Sequence, residues 1–533
     1  MATSLDSWWR SGVFYQVYPR SFQDSNADGV GDLKGIIDRL PYLLALGVDA
    51  VWLSPIFPSP MADFGYDIAD YVGIDPLFGT MQHFEALVKA AHASGLKLIL
   101  DLVPNHTSDQ HPWFIESRSS RDNPKRDWYI WHEPREDGGP PNNWLSEFGG
   151  SAWQYDEATR QYYYHAFLAQ QPDLNWRNPA VRQAIHDVMR FWLSRGVDGF
   201  RVDVIWHLIK DAAFRDNPPN PDYREGRPPH ERVLPLRTTD QAEVHDVIAE
   251  MRRVVNEFDN RVLIGEIYLP LERLVTYYGK DLAEAHLPFN FALLSAPWNA
   301  RAIEKIINDY EGALPAGAWP NWVLGNHDRP RVASRVGREQ ARVAAMLLLT
   351  LRGTPTLYYG DEIGMRQVAI APDRVRDPFE KNVPGIGVGR DGCRTPMQWD
   401  ATDNAGFSTS TPWLPLADDF RHENVANLEA DAASIFNLHK ALIDLRKRLP
   451  PLRSGDHVPV AATGNLLLYR RQSEGRSIAV ALNLGDEPVS IASMSSGLTG
   501  EILLSTSLDR RGEIIDGTVD LRSNEGAIIG LTG

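Results

Sequence analysis

Short apolar runs alternate with stretches of helical period through the first two thirds of the chain. The runs at 13–19, 49–53, 96–103, 197–202, 261–264, 289–292, 322–324 and 356–359 read as eight buried strands. Between them, 36–46, 84–94, 182–194 and 341–351 carry the spacing of amphipathic helices. Strand–helix alternation predicts a parallel sheet with crossover helices. Eight such strands are the number that closes a (β/α)8 barrel.

The alternation breaks in two places. Residues 104–175 are rich in Trp, Tyr, Pro, Asn and Gly and show no long helical period, as expected of an inserted, partly β subdomain after strand three. From 458 onward the pattern changes to short alternating strands, which predicts a C-terminal antiparallel β-sandwich. The expected organisation is a barrel built from 1–103 and 176–451, an insert at 104–175 and a β domain at 452–533. A long Pro-, Gly- and Asp-rich loop region spans 365–425 within the second barrel segment.

Three apolar runs end in carboxylates: Gly199-Phe200-Arg201-Val202-Asp203, Leu263-Ile264-Gly265-Glu266 and Leu324-Gly325-Asn326-His327-Asp328. The C-terminal ends of barrel strands are where this architecture keeps its chemistry. Arg201 shares a strand face with Asp203, because side chains alternate with period two, and a neighbouring guanidinium keeps a carboxylate ionised. A Glu at the end of an apolar strand can have its pKa raised and act as an acid. Together they are the minimum equipment for breaking a glycosidic bond with retention.

The segments Asp101-Leu-Val-Pro-Asn-His106, Gln171-Pro-Asp-Leu-Asn175, Gly199–Asp203, Gly265-Glu266 and Asn326-His-Asp328 occur in that order. With them the chain resembles the α-glucosidases of glycoside hydrolase family 13, the α-amylase family, in its oligo-1,6-glucosidase-like branch. The resemblance implies Asp203 as nucleophile, Glu266 as acid and then base, and Asp328 as the group that binds hydroxyls and helps distort the ring. It implies Arg201, His106 and His327 as partners in the same subsite. Asp63 would clamp the terminal glucose, Tyr66 would stack on it, and Arg394 would pair with the same sugar. Phe148 and Phe167 of the insert are further candidates. A pocket closed by Asp63 and Arg394 implies removal of glucose from the non-reducing end. The expected substrates are maltose, isomaltose, sucrose or other short α-gluco-oligosaccharides, with transglucosylation. A sucrose isomerase or dedicated glucosyltransferase, or a strict oligo-1,6-glucosidase, is the alternative. Val204 resembles the residue found in enzymes that accept α-1,6 bonds.

Asp24, Asn26, Asp28 and Asp32 offer oxygen ligands at EF-hand-like spacing, and Val30 offers a carbonyl. Position 12 is Gly35, so the bidentate Glu of an EF-hand is missing. The loop resembles the family's structural Ca2+ (or Mg2+) site; no catalytic cofactor is expected.

Composition narrows the partners. A net charge of −16 without any Lys/Arg-rich run argues against nucleic acid and anionic membranes. Cys393 is the only cysteine, which excludes an internal disulfide and fits a reducing cytoplasm. The stretch 1–10 lacks an apolar leader. A cytoplasmic monomer or homodimer is expected.

Overall fold

The computed structural model describes residues 7–473, 475–492 and 498–532, so Met1–Asp6 of the leader reading lie outside it. Eight parallel strands form one sheet. They are β1 (Phe14–Val17), β2 (Ala50–Leu53), β3 (Lys97–Leu102), β4 (Gly199–Val202), β5 (Val262–Gly265), β6 (Leu287–Pro288), β7 (Asn321–Val323) and β8 (Thr354–Tyr358). Every residue in them except Lys97 is buried. That explains the continuous apolar runs: a parallel strand is covered on both faces.

Two expectations shift. The sixth strand is Leu287–Pro288 rather than 289–292, which instead turns into a short 3-10 helix at Ala292–Leu294. No backbone ladder joins β6 to β7. Proline has no N–H to extend one, and the side chain of Asn321 bridges the seam. Its Nδ2 donates to the Pro288 carbonyl, and its Oδ1 accepts from Asn290 N at 2.9 Å. The helix expected at 36–46 is two helices, Leu33–Asp38 and Leu40–Leu46, with Pro41 in the first turn of the second.

The insert after β3 holds the helix Pro112–Ser119 and a three-stranded antiparallel sheet of Trp131–His132, Gln161–Tyr164 and Trp153–Asp156. Trp144, Trp153 and Tyr164 make its core. It is fastened to the barrel by Lys210, whose buried Nζ lies 2.5 Å from Asp173 Oδ2 and donates to Asn105 Oδ1 at 2.8 Å.

After residue 455 a six-stranded antiparallel sheet packs with a two-stranded one, Val489–Ala492 with Thr518–Leu521. Val519 and Leu521 of the smaller sheet share a core with Leu468, Ala479 and Ile529 of the larger. One buried arginine of this domain, Arg471, reaches the barrel, and a second, Arg446, on the barrel's own helix Ile435–Arg448, bonds the carbonyls beside it. Arg446 donates to the carbonyls of Leu349 (3.0 Å) and Leu351 (3.1 Å), and Arg471 to those of Thr350 and Gly455. The carbonyls of Leu349, Thr350 and Leu351 are ones left open at the end of the helix Arg338–Thr350. Among the described residues no helix is long and apolar enough to cross a membrane.

Candidate active site

Strand register brings the two central carboxylates together. Val202 pairs with Leu102 on one side and Gly265 on the other, so Asp203 and Glu266 emerge next to each other. Asp101 and Arg201 are register partners one step earlier. Arg201 is 1 % exposed and bonds three carboxylates. Its Nη1 reaches Asp101 Oδ1 (2.8 Å) and Asp203 Oδ1 (2.7 Å), and its Nη2 reaches Glu266 Oε2 (2.7 Å). Trp52 flanks the guanidinium with its ring centroid 5.1 Å away and donates from Nε1 to Asp101 Oδ2 at 3.1 Å.

The arginine therefore does not single out Asp203. Burial raises the pKa of both Asp203 and Glu266, their mutual repulsion adds to the rise at Asp203, and Arg201 opposes it at both. Both carboxyls are bonded by the same guanidinium, which brings them together. They titrate as a pair, and the pair retains one proton well above the ordinary carboxylate range: one anion and one acid. Both carboxylates are held on the two Nη atoms of one guanidinium, a shared anchor of the kind that the short separation of roughly 5–5.5 Å in retaining enzymes calls for.

Val204, next in the chain, is a β-branched residue at φ 39°, in the left-handed region. Its strained turn aims its N–H at Glu266 Oε2, 2.9 Å away.

Asp328 behaves differently. Burial alone would raise its pKa, but His327, whose Nε2 lies 3.3 Å from Oδ2, and the charges of Arg394, Arg390 and Arg201 outweigh that and hold it well below the usual range. Its Oδ1 is 2.8 Å from Arg394 Nη2 and 3.4 Å from Arg390 Nη1. Asp63 sits opposite, and its ion-pair partner is Arg390, with Nη2 2.7 Å from Oδ1. Arg390 also pairs with Asp377 at 2.7 Å. The guanidinium bonded to Asp63 is thus that of Arg390, four positions before Arg394. Arg394 lies wholly buried behind Asp328, donating from Nε to the His327 carbonyl at 2.7 Å.

These groups line a cavity of about 380 Å3. Asp203, Glu266, Asp328, Asp63, Tyr66, His106, His327, Phe148 and Phe167 all face it, whereas Arg201 and Arg394 stand behind the carboxylates they bond. Tyr66 stacks on His327 with centroids 5.4 Å apart, and its hydroxyl lies 2.6 Å from Nε2. The Gln16 amide approaches His327 Nδ1 at 2.8 Å; that arrangement assigns the ring proton to Nε2, toward Tyr66 and Asp328. Burial lowers the pKa of His106, to about 4, and that of His327, so both are neutral donors. Phe148 stacks on Phe379 at 5.0 Å and meets Phe167 at 5.8 Å, forming one apolar rim.

Sequence reasoning missed Arg390, Asp377 and Phe379, all from the 365–425 loops, and Trp206, His207, Tyr268 and Arg329 beside the carboxylates. Arg390 had a weak signal, lying in the same Arg-Asp-Gly-Cys-Arg run as Arg394.

In the 24–32 loop the oxygen donors are of a type that a hard divalent cation takes. Their lone pairs serve the loop itself. Asp24 accepts from the N–H groups of Asn26, Ala27 and Gly29 and from Ser408 Oγ. Asp32 accepts from Ser25 and caps the helix at Gly35 N. Asn26 and Asp28 each accept from the N–H two residues on, in Asp28 and Val30. Among the described residues no three acidic, His or Cys side chains converge as a metal cluster.

Residues 16–455 match the family described as "Alpha amylase, catalytic domain". A probable α-glucosidase of Rhizobium meliloti (strain 1021) is 42% identical over 496 residues, covering 90% of this chain and 90% of that protein. An oligo-1,6-glucosidase of Heyndrickxia coagulans is 39% identical over 528 residues, 91% of this chain and 94% of its own. Among solved structures, the α-glucosyl transfer enzyme XgtA superposes with a TM-score of 0.92 at 41% identity, covering 98% of this chain and 99% of that one. The trehalulose synthase MutB from Pseudomonas mesoacidophila MX-45 superposes at 0.91 with 33% identity, over 98% and 99%.

Proposed function

The chain belongs to the α-amylase family of glycoside hydrolases, and on that premise we propose that it is a retaining, exo-acting α-glucosidase. It removes terminal non-reducing glucose from short α-1,4- or α-1,6-linked oligosaccharides. The relatives named α-glucosidase and oligo-1,6-glucosidase support this reading. The observation that carries it is the charged floor of the pocket. Asp63, Arg390 and Asp328 are cross-bonded there, a set of charged partners for the hydroxyls of one terminal sugar. The cavity is near the small end of the roughly 300–1,000 Å3 typical of ligand sites.

The chemistry follows from the pair and its surroundings. Asp203 attacks the anomeric carbon as Glu266 donates its proton to the departing oxygen, and the glycosidic bond breaks. Water then gives a proton to Glu266 and attacks the same carbon, releasing Asp203; two inversions give net retention. Val204 N–H and Arg201 fix Glu266 at the leaving oxygen. The anions Asp203 and Asp328 stabilise positive charge developing on the sugar ring. Neutral His106 and His327 line the same subsite, His106 donating from Nε2 to the Tyr66 carbonyl at 3.0 Å.

A panel of maltose, isomaltose, sucrose, trehalose and starch tests the reading. Glucose should appear from disaccharides, first as the α-anomer by NMR, and starch should be a poor substrate. Rapid starch cleavage with inert disaccharides would contradict it. The structural likeness to trehalulose synthase raises a second reading, in which sucrose is isomerised. A rearranged disaccharide as main product from sucrose would select it.

We also propose a structural divalent cation at Asp24, Asn26, Asp28, Val30 and Asp32. A cytoplasmic location and a monomeric or homodimeric state complete the proposal.

A further inference from the structure

Strand β1 carries one amide side chain, that of Gln16. It is wholly buried, in register with Trp52 of β2 and Tyr358 of β8. Its Nε2 donates to Ser54 Oγ at 3.2 Å and lies 2.8 Å from His327 Nδ1. The His327 ring has Tyr18, Trp52 and Tyr66 around it, with centroids 5.9, 6.2 and 5.4 Å away. These rings hold it in place, and each of its nitrogens keeps its own neighbours.

A neutral imidazole has one N–H and one lone pair, and its surroundings decide which nitrogen carries which. On the Nε2 side stand Asp328 Oδ2 at 3.3 Å and the Tyr66 hydroxyl at 2.6 Å. A carboxylate can only accept. The Tyr66 hydroxyl gives its own proton to Asp101 Oδ2 at 3.2 Å, so it too accepts from the ring. Both neighbours call for the proton on Nε2. A lone pair there would face the Asp328 anion in a water-poor site, where such a mismatch is costly. Nδ1 must then accept, and the Gln16 amide supplies the donor. The opposite amide orientation would set a carbonyl against that lone pair.

We propose that Gln16 is a positioning residue: by donating to Nδ1 it holds His327 as the tautomer protonated at Nε2. From there the hydrogen bonds run one way. His327 donates to Tyr66 and Tyr66 to Asp101, which Arg201 ties to Asp203 at 2.8 and 2.7 Å. One amide of β1 thus fixes donors and acceptors at Asp328 directly and at Asp203 through the chain. Gln16 does not line the catalytic pocket, so its influence passes through the ring. The inference rests on the α-glucosidase reading, in which these carboxylates act on one terminal glucose.

Neutron diffraction from crystals of the full chain, exchanged into D2O, reads the tautomer directly. The deuteron should sit on His327 Nε2, with none on Nδ1. Kinetics on p-nitrophenyl α-glucoside, whose activated leaving group keeps weakened variants measurable, read the consequence. Gln16→Met keeps the side chain's length and removes the donor. Its kcat/KM should fall by about 5- to 100-fold, the range spanned by one lost or unsatisfied buried hydrogen bond. In a His327→Phe background the same substitution should cost almost nothing further, because the route is through the ring. A role confined to packing predicts equal losses in the two backgrounds. A deuteron on Nδ1, or such equal losses, overturns the proposal. No glucose from maltose, with the deuteron on Nε2, would instead overturn the α-glucosidase reading and leave the hold of Gln16 on the ring standing.

Discussion

The backbone N–H of Val204 donates to Glu266 Oε2 at 2.9 Å, so the residue after Asp203 orients Glu266. This contact exists only because Val204 accepts φ 39°, a conformation that costs a β-branched residue of order 1–3 kcal/mol. One turn thus positions both Asp203 and Glu266.

Glu266→Gln keeps the Val204 and Arg201 contacts but cannot donate a proton. Turnover of maltose should fall by about 10²–10⁴-fold with little change in melting temperature. Substrates whose leaving group needs no protonation should lose far less in the first step. Equal losses on both kinds of substrate would remove Glu266 as the acid.

Arg390→Lys separates it from Arg394. Breaking the Asp63 and Asp377 contacts leaves buried carboxylates under-paired, a cost of about 3–5 kcal/mol when a partner is lost outright. We expect a large rise in KM for disaccharides. Arg394→Lys should act mainly on kcat, through the ionisation and placement of Asp328. The prediction fails if both variants shift the same parameter by the same factor.

Stability carries its own pH signature. Burial pushes the Asp361 carboxyl up to about 7, against 3.8 for the ordinary group. A raised carboxyl contributes stability below its unfolded pKa, and that contribution is lost as pH rises through the folded value. Asp361→Asn stays neutral throughout. Its melting temperature should therefore gain on the parent between about pH 5 and pH 8. Parallel curves for parent and variant across that range would refute the assignment.

Metal dependence is read by thermal melting after dialysis against a chelator. Re-added Ca2+ or Mg2+ should raise the melting temperature, since saturating a native-state site at about 100 times its Kd adds about 2.7 kcal/mol. The Asp28→Ala variant should lose most of that response. An unchanged melting curve would leave the 24–32 loop held by its own hydrogen bonds.

The barrel was legible because its strands are buried on both faces and end in charged residues, a contrast that survives in one dimension. The Asp203, Glu266 and Asp328 positions followed from the same contrast. Strand β6 was not legible: two residues ending in Pro288 carry no period, and the apolar run at 289–292 is more strand-like than the strand itself. Arg390 was missed for a different reason. It and Arg394 sit four apart in a loop without regular structure, where spacing does not say which guanidinium turns toward Asp63. Nor could the sequence reveal that Arg201 bonds both Asp203 and Glu266, since that depends on register between β4 and β5.

Between β6 and β7 the barrel is latched by one amide side chain, that of Asn321, in place of a backbone ladder. Backbone ladders are indifferent to which residue occupies a position; a side-chain latch is not. A single nucleotide change could therefore unfasten this wall while leaving every strand intact. The amides of 287–294 would then exchange with solvent ahead of the rest of the barrel.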